Sequence, residues 1–184
     1  MIRNLTPADT LAYIDLRLES FRTDPLSFDR DPDSPLDPGE ISKQLAGIHD
    51  ENYVMGYFLD RGEAAGAELV GIWGFERYTR PKRRHRATIS GVYVSPRARG
   101  EGVARKLLQE CLERAKKMEG LERLVLSVSH RAKAARHIYE SAGFTVFGRE
   151  PGAARTGDIE MDEIHMLLNL KSAGPARGRH RSEG

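Results

Sequence analysis

At 184 residues, with 39% hydrophobic and 30% charged side chains, the chain is long enough for one domain with a full core and too apolar for a disordered one. A formal charge of +2 is too small to require a polyanionic partner, and a single cysteine, Cys111, excludes an intrachain disulfide. No apolar run reaches the ~18–20 residues of a membrane span, and the first residues lack the apolar core of a signal peptide, so a cytoplasmic protein without membrane attachment is expected.

Ile2 to Leu5 reads as a short strand. Thr6, Pro7 and Asp9 then suit the N-cap, N1 and N3 positions of a helix. Leu11, Ile14, Leu18 and Phe21 recur at helical spacing and predict its buried face, with Arg17 and Arg22 flanking it. Asp24-Pro25 ends the helix. Residues 29–39 hold three prolines and four aspartates, a mobile loop that serves either as an acceptor-binding lid or as a solvated connection. Glu40 to His49 predicts a second short helix carrying Ile41, Leu45 and Ile48. Strands follow at Tyr53 to Leu59 and Leu69 to Tyr78, joined by a hairpin turn over residues 60–68. A basic turn over residues 79–86 leads into a third antiparallel strand, Ala87 to Val94.

The end of that strand is the centre of the sequence. Ile89, Val92, Tyr93 and Val94 suit a pleated, buried surface, and Ser95-Pro96 breaks the ladder. Gly100 and Gly102 follow, and a helical pattern starts at Val103. A strand, a glycine turn and a helix N-terminus bring backbone N–H groups together at the positive end of the helix dipole, which is a site for an anion. Arg97, Arg99 and Arg105 add full charges. The turn is not a P-loop, since Val103-Ala104 stands where Lys-Ser/Thr is needed. Nor is it a dinucleotide fingerprint, since Arg105 occupies the third glycine position.

The helix runs from Val103 to Glu119, with Val103, Leu107, Leu108, Cys111, Leu112, Ala115 and Met118 on one face and Gly120 as its stop. Cys111 lies in that apolar stripe and reads as core rather than as a nucleophile. Leu121 to Ser129 predicts a buried strand, parallel to the one at Val92 because a helix connects them. Ala132 to Ala142 predicts a helix closed by Gly143. A hairpin strand starts at Phe144 to Phe147, and Glu160 to Leu170 is the last strand. Lys171 to Gly184 is basic, glycine-rich and without apolar anchors, so a folded domain over 1–170 and a disordered tail over 171–184 are expected.

The spacing Arg97-x-x-Gly100-x-Gly102 resembles the coenzyme A pyrophosphate loop of the GNAT superfamily of N-acetyltransferases. Leu126 to Phe144, with Tyr139-Glu140 and Gly143-Phe144, resembles the strand–helix segment of the same superfamily. The order and separation of both motifs fit, and the likeness extends to Leu170. The resemblance implies an α/β (α+β) fold: a mixed, mostly antiparallel central sheet with a splayed parallel strand pair, flanked by about four helices. It implies acetyl-CoA as donor, a primary amine as acceptor, direct attack in a ternary complex, and no metal.

On the same grounds the cofactor set is Val92, Tyr93, Val94, Arg97, Arg99, Gly100, Glu101, Gly102, Val103, Ala104 and Arg105, with Arg136 and Tyr139 from the later helix. Backbone N–H groups near Val92 to Val94 would polarise the thioester, and Tyr139 would donate a proton to the departing thiolate. The sequence departs from relatives in two places. Ala132 stands where many have an asparagine, and Thr88 or Ser90 where many have a glutamate base. An amine of ordinary pKa ~10.4 still has to lose a proton. Glu76 and His85 are the base candidates, with Glu163 and His165 on the last strand as further ones.

Two other functions compete. A catalytically silent acyl-CoA sensor would need no base. A nucleic-acid-binding module would use Arg80, Lys82, Arg83, Arg84 and Arg86, although these lack interleaved aromatics for base stacking. Neither nucleic acid nor a membrane is an expected partner, and a homodimer is left open.

Overall fold

The computed structural model describes residues 1–28, 30, 34–60, 62 and 66–170. The expected tail and the central aspartates of the expected loop, Asp29, Asp31 and Asp33, lie outside the described residues. The strands are β1 (Ile2–Asn4), β2 (Asn52–Asp60), β3 (Ala67–Arg77), β4 (Arg86–Val94), β5 (Arg123–Ser129), β6 (Thr145–Thr156) and β7 (Ile159–Asn169). The helices are α1 (Thr10–Thr23), α2 (Pro38–Ala46), α3 (Val103–Lys117) and α4 (Lys133–Ser141). One seven-stranded sheet has the order β1-β2-β3-β4-β5-β7-β6. Every neighbouring pair is antiparallel except β4 and β5.

The sheet buries both faces of its middle strands. On one side Met55, Val70, Trp73, Phe75, Ala87 and Ile89 pack with Val103, Leu107 and Cys111 of α3 and Tyr139 of α4. On the other, Phe58, Leu69, Ile72 and Tyr93 pack with Tyr13 and Leu16 of α1 and Leu45 of α2. Along β3, Ile72 faces one side and Trp73 and Phe75 the other, as the period of a strand requires, while a register shift against β2 interrupts the alternation at Val70. Cys111 is fully buried, and that burial pushes its thiol up to about 12, which agrees with its reading as core.

The first helix differs from expectation. Thr6 and Asp9 form a capping box, but on a short 3-10 turn over Pro7–Asp9 that precedes α1. Leu11 is 69% exposed, whereas Ile14 and Phe21 are buried as expected, with Tyr13, Leu16 and Ser20 beside them. The expected stripe misses Leu16 and also Tyr13, whose ring is mostly apolar. It also misses Ser20, whose hydroxyl donates to the Arg17 carbonyl at 2.7 Å. The second helix starts two residues early, at Pro38 and Gly39, because the Asp37 side chain accepts from the Glu40 N–H.

Asp9 also pairs bidentately with Arg3, at 2.7 Å through each carboxylate oxygen. The Arg3 guanidinium lowers its pKa to about 2 from an ordinary 3.8. The folded value is the depressed one, so the stabilisation is complete above 3.8 and fades as pH falls towards about 2. Asp9→Asn is therefore expected to lose about 2 kcal/mol near neutrality. Its gap from wild type in denaturant melts should close in acid.

Candidate active site

The β4–β5 pairing is short. Arg86, Ala87 and Thr88 pair with Arg123, Leu124 and Val125, and no β4 residue beyond Thr88 pairs with β5. The strand that contains Val92 is parallel to β5 as expected, and beyond Thr88 the two splay so that a gap opens at Val92. Its cause lies in β3 and β4. Their register shifts between Ile72↔Tyr93 and Gly74↔Ser90, placing an extra β4 residue in a bulge. Gly91 takes φ +59 in this bulge, a left-handed conformation that favours glycine. A Cβ on Gly74 would lie 2.7 Å from the Ser90 carbonyl oxygen, so only glycine lets the two backbones approach. The peptide groups of Val92 to Val94 border the gap.

The glycine turn adjoins it. A 3-10 turn over Pro96–Ala98 follows Ser95, and α3 starts immediately after Gly102. Gly100 and Gly102 have φ +83 and +74, and a Cβ on either would meet nothing within 4 Å. The first N–H groups of α3 have no partner within the helix, and the two glycines before them leave room for a ligand to approach. Glu101 is exposed, Ala104 half-buried and Val103 buried.

The arginines divide in a way the sequence did not disclose. Arg97 pairs with Glu68 at 2.6 Å and Glu19 at 3.3 Å. Arg99 pairs with Asp24 at 2.6 Å and donates from Nε to the Val94 carbonyl. At least one of them was expected at phosphate; in this structure both are held by carboxylates, Arg97 from α1 and β3 and Arg99 from the residue that ends α1. Arg105 is exposed and has no ion pair among the described residues. It borders a groove of about 270 Å³ between α3 and α4, with Leu112, Ile138 and Ala142. Arg136 is held by Glu140 at 2.8 Å on its own helix.

Tyr139 is 5% exposed, edge-on to Trp73 and Phe144 with centroids 6.1 and 5.7 Å away. Burial raises its pKa, so the hydroxyl stays protonated at neutral pH, the state a proton donor needs.

Of the two base candidates, Glu76 lies where the gap begins and His85 stands apart from it. Glu76 is exposed and faces Thr88, where the β4–β5 pairing ends. His85 precedes β4, about 20 Å along the strand from Gly91 at 3.3 Å per residue. Its carbonyl accepts from the Glu122 and Arg123 N–H groups, so it belongs to the opposite end of the site. His165 is better placed. Its Nδ1 lies 2.8 Å from the Ser127 hydroxyl and its Nε2 3.3 Å from Glu150. Glu150, Glu163 and His165 have side-chain atoms within 4.8 Å of one another, so two carboxylates surround the imidazole. Continuing the register from Thr88↔Val125 puts Ser127 level with Ser90 across the gap.

Sequence reasoning missed Gly74 and Gly91, although isolated glycines within strand patterns are a bulge signal. It also missed Ser127, for which no sequence signal exists. Part of the basic turn is internally used: Arg84 pairs with Glu51 at 2.8 Å, and Arg86 lies over Tyr78.

A bulged strand, a splayed parallel pair and a glycine turn at a helix N-terminus define an acyltransferase-type fold of the kind that the two sequence motifs resemble. The chain belongs to the acetyltransferase (GNAT) family, whose profile matches residues 14–144. It is 31% identical over 110 residues to the L-methionine sulfoximine/L-methionine sulfone acetyltransferases of Pseudomonas paraeruginosa and Pseudomonas aeruginosa. Those matches span 59% of this chain and 60% of each relative. A GNAT-family acetyltransferase from Streptococcus pneumoniae superposes with a TM-score of 0.79 at 25% identity, covering 93% of this chain and 99% of that one. The Salmonella typhimurium protein yncA, solved with its cofactor acetyl-CoA, shares the fold at 21% identity and TM-score 0.76, covering 95% and 96%. Among the described residues no helix is long and apolar enough to cross a membrane.

Proposed function

We propose that the chain is an N-acetyltransferase that moves the acetyl group of acetyl-CoA to a primary amine by direct attack in a ternary complex. The observation carrying this is the gap beside the bulged β4, continuous with the glycine turn. The domain in this reading is 1–170, and its setting is cytoplasmic.

Acetyl-CoA supplies the thioester. The N–H groups of Gly100 to Ala104, with Arg105, would hold its diphosphate, drawing on the open first turn of α3. Backbone donors of Val92 to Val94 would meet the carbonyl oxygen as charge develops on it. His165, backed by Ser127 and Glu150, would take the amine proton in place of Glu76 and His85. Tyr139 would donate to the departing thiolate. The one cysteine is buried with a raised pKa, which speaks against an acyl-enzyme and for direct attack.

Thiol release from acetyl-CoA across small amines, amino acids and peptides tests this reading. The two curated relatives are named for L-methionine sulfoximine and L-methionine sulfone, so those compounds head the panel. Amine-dependent release, with intersecting double-reciprocal lines when both substrates vary, is expected. Saturable acetyl-CoA binding without release for any amine would favour the sensor. Tyr139→Phe is expected to lower kcat by on the order of 10–100-fold with near-normal acetyl-CoA affinity; unchanged kcat removes it as donor. A second copy of the chain as partner belongs to the same proposal, and sedimentation tests it.

A further inference from the structure

Arg17 of α1 is a half-buried cation for which the described residues supply no ion pair. Its Nη1 is shielded from solvent and has no hydrogen-bond partner among the described residues. The guanidinium lies 4.8 Å from the Phe21 ring centroid and 5.0 Å from that of Phe28. Phe28 in turn stands edge-on to Phe21 and Tyr93. These rings fix the guanidinium plane without satisfying its N–H donors. Among the described residues, Glu19 is committed to Arg97 and Tyr93, and Asp24 to Arg99. The Arg30 charge adds to the positive potential, and burial and Arg30 both act to lower the Arg17 pKa. A partly buried, unpaired charge is costly and persists where a ligand supplies its counter-charge.

Its position says which ligand. Nη1 lies 3.5 Å from the point that a Cβ on Gly91 would occupy, so it abuts the bulge that shapes the gap. It does so from the α1 side of the sheet, opposite α3 and α4. We propose that Arg17 anchors a carboxylate on the amine acceptor, making the acceptor an amino acid or a similar amine carrying an anionic group. A planar guanidinium matches a carboxylate through paired N–H donors. This rests on the acetyltransferase reading above and names the substrate class of that same site.

The test compares L-methionine sulfone, and the fastest amine of the panel, with the matching carboxamides. The fastest acceptors are expected to carry a carboxylate, and wild type to favour each acid over its amide. Arg17→Gln should lower kcat/KM for the acid by on the order of 100-fold, mainly through KM, and leave the amide unchanged. Arg17→Lys should recover part of the loss. Without substrate, Arg17→Met should melt a few degrees higher, because an unpaired, half-buried cation is gone. It should also bind acetyl-CoA as wild type does, which shows a folded protein. Fastest acceptors without an anionic group would overturn the proposal. So would an equal loss of kcat for acid and amide, which would assign Arg17 to the thioester oxygen instead. No turnover with any amine would overturn the acetyltransferase reading itself.

Discussion

Gly102→Ala weakens acetyl-CoA binding by on the order of 100-fold and leaves the protein folded. The two halves of this expectation have separate causes. Gly102 has φ +74 and open space around the added carbon, so alanine there costs only the left-handed penalty, about 1 kcal/mol. The affinity loss comes from the ligand side. Backbone N–H groups at a helix N-terminus bind phosphate only if the backbone comes close, and a methyl group stands in that space. Charge-assisted hydrogen bonds contribute about 1.5–3 kcal/mol each, so lengthening two of them accounts for about 100-fold. Gly157 provides the control, with φ +57 and nothing within 4 Å, in the β6–β7 hairpin. Gly157→Ala should cost similar stability and leave acetyl-CoA affinity alone. Calorimetric titration of both variants decides it: equal affinities would remove the turn from the binding site.

Gly74→Ala has the larger effect on turnover. The added carbon would lie 2.7 Å from the Ser90 carbonyl oxygen and 3.2 Å from its hydroxyl. A side chain can rotate away, but a ladder carbonyl cannot, so β4 must shift at its bulge. Forced overpacking of this kind costs about 1–3 kcal/mol. The bulge sets the peptide groups of Val92 to Val94, and a shift near 1 Å in a reacting geometry can cost about 100-fold in rate. The expected variant is folded, less stable, and at least ~100-fold slower with every amine. Ser90→Gly should not rescue it, because the collision is with backbone. Rescue would place the fault in the hydroxyl and weaken the claim that the bulge shapes the reaction.

Most of the fold could be read from residues. Periodicity located α3, which is buried on one face, and apolar runs rich in β-branched and aromatic residues located the central strands, which are buried on both. Proline, glycine and aspartate located the turns, because those residues act through their own backbone. The glycine turn was readable for the same reason: Gly100 and Gly102 take the positive φ that their type suggests. What could not be read depends on contacts between distant elements. Whether Arg97 and Arg99 meet phosphate or carboxylate depends on Glu19, Asp24 and Glu68, which only folding brings near. His165 gains its relevance from Ser127, 38 residues away. Arg17 looked like one of two charges flanking a helix stripe, and the shielding of its Nη1 goes with Phe28 and Gly91, contacts that a helical pattern does not show.

Hydrogen exchange with and without acetyl-CoA tests the central claim most directly. The account predicts that amides of residues 92–94 and 100–104 become protected on binding, while the β6–β7 hairpin and the basic turn at 81–83 do not. Protection confined to the α3–α4 groove, or none in either stretch at saturating acetyl-CoA, would contradict it.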